Sequence, residues 1–156
     1  MAKLFGSKTK ICVFISGKGS NLNSIIKYFK KKRSQIEINL VVSSNPSAKG
    51  IKYALKNNIQ HKIFKFINKK NDEKKILKIL KKRDIALLCL AGFMKILSKN
   101  FIEKFDGKII NIHPSLLPKY KGLNTHQRVI DKGDKYSGCT IHYVNSRLDS
   151  GKIIIK

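Results

Sequence analysis

KICVFISGKGSNLNSIIKYFKKK, Lys10 to Lys32, is the stretch whose reading decides the fold class. Its first residues, through Ile15, are rich in β-branched and aromatic side chains. A glycine-bearing turn, Gly17-Lys18-Gly19, follows at once. Leu22, Ile25, Ile26 and Phe29 then recur at helical spacing. Ser20 or Asn21 can cap the start of that helix. A strand, a short glycine loop and a helix in succession make the first part of a βαβ unit.

The rhythm continues outward from there. Strands are expected over 36–44, 61–66, 85–94, 108–113, 137–144 and 152–155, and helices over 47–58, 72–83, 98–105 and 125–133. Residues 85–94, IALLCLAGFM, are apolar on both faces, as a strand buried in a parallel sheet must be. The pattern implies an α/β fold: a Rossmann-like open, mostly parallel sheet with helices on both faces. No internal repeat or Pro/Gly/Ser linker divides the chain. Residues 1–9 read as a basic N-terminal tail, and 10–156 as one domain. The chain stops within an apolar strand, so the domain is expected to lack its C-terminal part.

With 156 residues, a single domain with a true core is expected. There are 34 Lys+Arg against 9 Asp+Glu, a net charge of +25. Such a surface attracts anions. The lysines are nonetheless spread along the whole chain, as solvated helix faces would place them. No RNP-like aromatic motif, zinc knuckle or helix-turn-helix accompanies them, so no specific nucleic-acid partner is expected. Cys12, Cys89 and Cys139 form no CxxC pair, which speaks against a metal centre and fits a reduced, cytoplasmic setting. The longest apolar run is about half of what a membrane span needs.

Two places carry chemistry. The loop ISGKGSN, 15–21, lacks the third glycine of a dinucleotide fingerprint, since Leu22 stands there, and it is not a P-loop. It can still hold a single phosphate on Gly19, Ser20 and Asn21 at a helix start; the alternative is a purely structural turn. In the strand KIINIH, Asn111 and His113 are two apart and face the same side. Pro114 ends the strand because it has no N–H to donate. An amide and an imidazole thus stand at a strand's C-terminal end, where ligands bind in open α/β sheets. They could form an oxyanion site, or His113 could merely cap a turn. His142, in CTIHYV, can face either this site or a neighbouring strand.

Four segments in order, ISGKGSNLNSII, LAGFMKILS, NIHPSLLPKYKGLNTH and GCTIHYVNSRLDSG, resemble the folate-dependent formyltransferases, and in particular their phosphoribosylglycinamide formyltransferase branch. The resemblance runs from about residue 10 to 155. It implies a transferase of purine biosynthesis that moves a formyl group from 10-formyltetrahydrofolate to N1-(5-phosphoribosyl)glycinamide. It also implies small-molecule partners only, no metal, and a monomer or homodimer. By resemblance, Asn111, His113 and Asp149 are catalytic, and Gly19, Ser20 and Asn21 bind the ribotide phosphate. Lys69, Met94, Lys95, Ile96, Leu97, Asn111, Asn145, Ser146, Arg147, Leu148 and Asp149 contact folate. Lys18 and Lys152 depart from the family's usual residues at their positions. Hydrolysis of the formyl-folate is the alternative within the same superfamily. From the residues alone, Asp149 could be a turn residue before Ser150-Gly151, and Met94 beside Phe93 a core residue.

Overall fold

A computed structural model describes residues 8–31 and 34–156. Seven strands form one sheet: β1 (Thr9–Ile15), β2 (Ile36–Ser43), β3 (His61–Ile63), β4 (Ile85–Leu90), β5 (Lys108–His113), β6 (Thr140–Tyr143) and β7 (Ile153–Ile155). Five helices connect them: α1 (Ser20–Lys31), α2 (Ile51–Lys56), α3 (Lys69–Lys82), α4 (Lys99–Lys104) and α5 (Thr125–Asp131). The strand order is β3-β2-β1-β4-β5-β6-β7. The first five of these strands run parallel, while β5–β6 and β6–β7 are antiparallel. The fold is the expected one, an open, mostly parallel sheet.

Alternation along the central strands explains why both faces are covered. Cys12 and Phe14 of β1, Leu40 and Val42 of β2, and Leu88 and Leu90 of β4 point to one face. There they meet Ile76 and Leu80 of α3 and Phe101 of α4. Ile11, Val13, Ile15, Val41 and Cys89 point the other way, against Leu22 and Ile26 of α1 and Ile51 and Ala54 of α2. Cys12 and Cys89 therefore sit on opposite faces, as small buried hydrophobes.

Several boundaries differ from expectation, each for a local reason. The second helix begins only at Ile51, because Asn45 to Gly50 forms a turn in which Asn45 Oδ1 accepts from the Ser47 N–H at 2.9 Å. The third strand stops at Ile63, and Phe66 turns the chain with φ 57°. The third helix starts early, at Lys69, with Asn68 Oδ1 accepting from the Asn71 N–H. The fourth strand ends at Leu90, before Gly92 turns the chain at φ 73°. In the N-terminal tail, residues 1–7 lie outside the described residues, as do 32–33; Thr9 already pairs with Ile36 in the sheet. No helix among the described residues is long and apolar enough to cross a membrane.

The chain moves outward from β1 to β3, then returns through α3 to lay β4 on the other side of β1. A crevice opens at such a reversal, beyond the C-terminal ends of the strands. The loops after β1 and β4 and the end of β5 share that rim.

Candidate active site

Asn111 and His113 end β5 as expected, with their side chains on one face. In the antiparallel register Asn111 pairs with His142 and His113 with Thr140. His142 is thereby placed beside Asn111, with Asn111 Nδ2 3.2 Å from His142 Nε2. The turn between β6 and β7 brings Asp149 over both strands. One oxygen, Oδ2, lies 3.4 Å from His113 Nδ1 and accepts from the Gly122 N–H at 2.8 Å. The other, Oδ1, lies 3.7 Å from His142 Nε2 and 3.5 Å from Asn111 Nδ2. Asp149 holds a left-handed backbone, φ 44°, and its side chain is only 8% exposed. It is thus more than a turn residue: one carboxylate joins two imidazoles, an amide and a backbone N–H.

The loop after β5 closes the cluster from the far side. His113 Nε2 donates to the Tyr120 carbonyl at 2.8 Å, since a carbonyl can only accept. That loop is rigidly built: the Ser115 hydroxyl donates to Lys119 O at 2.7 Å, and Thr140 Oγ1 donates to Ser115 O and accepts from the Leu117 N–H. His113, 4% exposed, is therefore gripped at both ring nitrogens. Asn111, half-buried, is the more open of the two donors.

The electrostatics follow from these contacts. Burial of Asp149 works against its charge, yet the bonds from His142 and the Gly122 N–H, with the nearby imidazoles, outweigh it and lower its pKa below the ordinary 3.8. The bond to Asp149 raises the His142 pKa above its ordinary 6.5, against the opposing effect of burial. His142 Nδ1 donates to the Tyr143 carbonyl at 2.8 Å, so in the neutral ring Nε2 accepts from Asn111 Nδ2, and in the charged ring a second proton sits on Nε2, facing Asp149.

The expected phosphate loop lies at the end of β1. Gly19 takes φ 74°, and a Cβ there would lie 2.4 Å from Gly50 Cα, so only glycine fits. The turn brings Ser20 and Asn21 to the first turn of α1, where free N–H groups face the rim. Ser20 is exposed and Asn21 half-buried. Among the expected folate residues, Met94 and Ile96 are 65% and 66% exposed, which corrects the core reading of Met94. Lys95, Asn145, Ser146, Arg147 and Leu148 are exposed too. Leu97 differs: its side chain is 6% exposed and packs in the core with Phe101, so at most its backbone faces a ligand. Lys69 opens α3 with an exposed side chain, and no described hydrogen bond or ion pair ties it to the cluster. His126 is exposed. A cavity of about 400 Å³ lies elsewhere, behind Leu116, Leu117, Pro118 and Val129.

Sequence reasoning left His142 unassigned, although a signal was present. Thr140 and His142 are the inward residues of β6, and polar residues at inward positions mark a functional face rather than a core.

The formyl transferase family model matches residues 9–156. The chain belongs to the formyl transferase family. It is 42% identical over 150 residues to the phosphoribosylglycinamide formyltransferase of Haemophilus influenzae, a match covering 94% of this chain and 71% of that protein. It is 40% identical to the trifunctional purine biosynthetic protein adenosine-3 of Gallus gallus over 99% of this chain, but it spans only 16% of that longer protein. Among solved structures, the phosphoribosylglycinamide formyltransferase of Anaplasma phagocytophilum superposes with a TM-score of 0.87 at 43% identity, over 94% of this chain and 69% of that one. The glycinamide ribonucleotide transformylase 1 of Symbiobacterium toebii gives a TM-score of 0.90 at 29% identity, over 99% and 74%. The formyl transferase domain therefore occupies nearly all of the present chain. Among the described residues no group of His, Cys, Asp and Glu is arranged to hold a metal.

Proposed function

We propose that this domain transfers the formyl group of 10-formyltetrahydrofolate to the amine of N1-(5-phosphoribosyl)glycinamide, in purine biosynthesis. The observation that carries the reading is the Asp149 carboxylate set between His113 and His142, with the Asn111 amide beside it. Its relatives' names point the same way.

The ribotide phosphate is held at the start of α1 by the N–H groups of the Gly19–Asn21 turn and the hydroxyl of Ser20, where the helix dipole favours an anion. The formyl-folate lies along Met94 to Leu97 and the 145–148 turn, whose exposed Met94, Ile96 and Leu148 offer apolar contact. Lys69, exposed at the start of α3, is the more distant basic contact. Both partners are small molecules, and the work is that of a cytoplasmic enzyme.

The amine nitrogen attacks the formyl carbon, and negative charge develops on the formyl oxygen. Asn111 Nδ2 is the accessible donor to that oxygen. Protonated His113 is the second; it reaches the oxygen when one of its present partners, Tyr120 O or Asp149, yields. Removing one donor of this kind costs about 10²–10³ in rate. Asp149 stabilises the imidazolium by its charge. Collapse breaks the bond to the folate nitrogen, which gains the proton that the attacking amine loses. Asp149 is placed to order a water for that relay.

The test is formyl transfer followed with both substrates, with formate release followed in parallel. Transfer that requires the ribotide is expected. Formate release at an equal rate without ribotide would instead mark a hydrolase. His113→Ala, folded but transferring within threefold of the parent, would remove the mechanism's central residue.

A further inference from the structure

Ser16 stands where the strand order reverses, between the last residue of β1 and the phosphate loop. Its backbone N–H donates to Gly92 O at 3.1 Å, and its hydroxyl accepts from the Met94 N–H at 2.8 Å. The same hydroxyl shares a 2.6 Å hydrogen bond with Ser44 Oγ. Ser44 N–H in turn donates to Ile15 O at 3.1 Å. The ends of β1 and β2 and the segment after β4 are thus tied around one side chain.

Each neighbouring loop is otherwise anchored to its own surroundings. Gly17 O accepts from the Gly50 N–H at 3.0 Å, and Gly19 O from the Asn23 N–H at 2.9 Å. The segment after β4 rests on Phe93, which packs edge-on against Phe14 and Phe66. Its far end is held by buried Glu73, which accepts from the Ser98 N–H at 2.8 Å and from the Ser98 hydroxyl. What joins the two loops through a side chain is the Ser16 hydroxyl.

We propose that Ser16 is a positioning residue, whose hydroxyl sets the placement of the 94–97 loop relative to the 17–21 loop and so of one substrate relative to the other. The inference rests on the proposed formyl transfer and deepens it. Reacting atoms must approach to roughly 3–3.5 Å, and a displacement of about 1 Å can cost ~10²-fold in rate. Without the hydroxyl the Met94 N–H loses its partner, and residues 94–97 lose their side-chain link to the end of β1, while Gly92 and Phe93 keep theirs. Each loop keeps its own anchors, so each substrate alone still binds. The defect should therefore appear in turnover and not in the separate affinities.

Ser16→Ala and Ser16→Thr are compared with the parent chain. Ser16→Ala is expected to lower kcat about 10-fold, while the Kd of each substrate measured alone shifts less than about twofold. Ser16→Thr, which keeps the hydroxyl, is expected to return kcat to within about threefold of the parent. The Met94 amide should exchange its hydrogen at least about 10-fold faster in Ser16→Ala. An unchanged kcat, a loss confined to one substrate's Kd, or no recovery by threonine would each overturn the inference. A parent that transfers no formyl group would count against the proposed function instead. The Met94 amide signal on addition of ribotide then decides for Ser16: a shift in the parent that Ser16→Ala lacks supports the link, and no shift in the parent overturns it.

Discussion

The carboxylate of Asp149 lies 3.4 Å from His113 Nδ1 and 3.7 Å from His142 Nε2, one oxygen toward each ring. A single side chain on the β6–β7 turn therefore faces imidazoles on two different strands, and it raises the pKa of the one on β6. Nearly buried charges are tolerated only when paired and hydrogen-bonded, and here the Gly122 N–H supplies the further bond.

Asp149→Asn should lose at least about 10²-fold in turnover, since the neutral amide no longer favours the imidazolium. It should also leave a pH signature in stability. His142 has a folded pKa above 6.5, so its contribution is full below 6.5 and is lost as the pH rises through the raised value. Asp149 has a folded pKa below 3.8, so its contribution is present above 3.8 and is lost as the pH falls through the lowered value. The melting-temperature penalty of the variant should be greatest between those limits and shrink toward alkaline pH. A penalty that grows steadily with alkalinity would contradict the pairing.

Gly19→Ala asks an alanine to take φ 74° with its Cβ 2.4 Å from Gly50 Cα. The turn between β1 and α1 has to shift. A stability loss of more than about 1 kcal/mol in urea denaturation is expected, together with a weaker ribotide affinity. Gly133→Ala is the control, because it shares a positive φ of 65° but meets nothing within 4 Å. Its loss should be smaller, and ribotide binding should not change.

Glu73 is a 3%-exposed carboxylate on α3 whose partner Ser98 caps α4. Glu73→Ala leaves the half-buried N–H and hydroxyl of Ser98 without their acceptor, which costs about 1 kcal/mol, toward the low end for a lost partner. Glu73→Gln retains one acceptor oxygen and should lose less. Equal losses in the two variants, measured by urea denaturation, would show that packing rather than the hydrogen bonds holds the loop.

Two of the three thiols should be silent. Burial pushes the Cys89 pKa up to about 11 and that of Cys12 well above its ordinary value. Cys139 is exposed. A chromogenic disulfide reagent should titrate Cys139 alone in the native protein at neutral pH, and all three cysteines after denaturation. Rapid reaction of a second thiol in the folded chain would show that β1 or β4 opens.

Much of this was legible in the chain because it depends on local periodicity. The run from Lys10 to Lys32 shows a strand, a glycine turn and a helix by side-chain spacing alone. Asn111 and His113 share a face because a strand alternates, whatever lies next to it. The glycine turn after β1 was visible because a β-rich run and a helical spacing flank it, and the structure gives its Gly19 a positive φ. Helix starts and strand ends were read less well, since Asn45, Phe66 and Asn68 act through individual hydrogen bonds or dihedrals that periodicity does not report.

What the sequence by itself determined, then, is the order of elements, the two-faced burial of the sheet and the polar pair at the end of β5. The tertiary structure alone decided which strand lies beside β5, and in which register. That register sets His142 against Asn111 and brings Asp149 over His113. The packing of β1, β2 and β4 with their helices likewise turns Leu97 into the core while leaving Met94 open, and draws Ser16, Ser44 and Met94 into one knot. The physical reason is common to all of these. Such contacts join residues far apart in the chain, and they form only when the hydrophobic faces of separate elements are buried together and fix their relative positions.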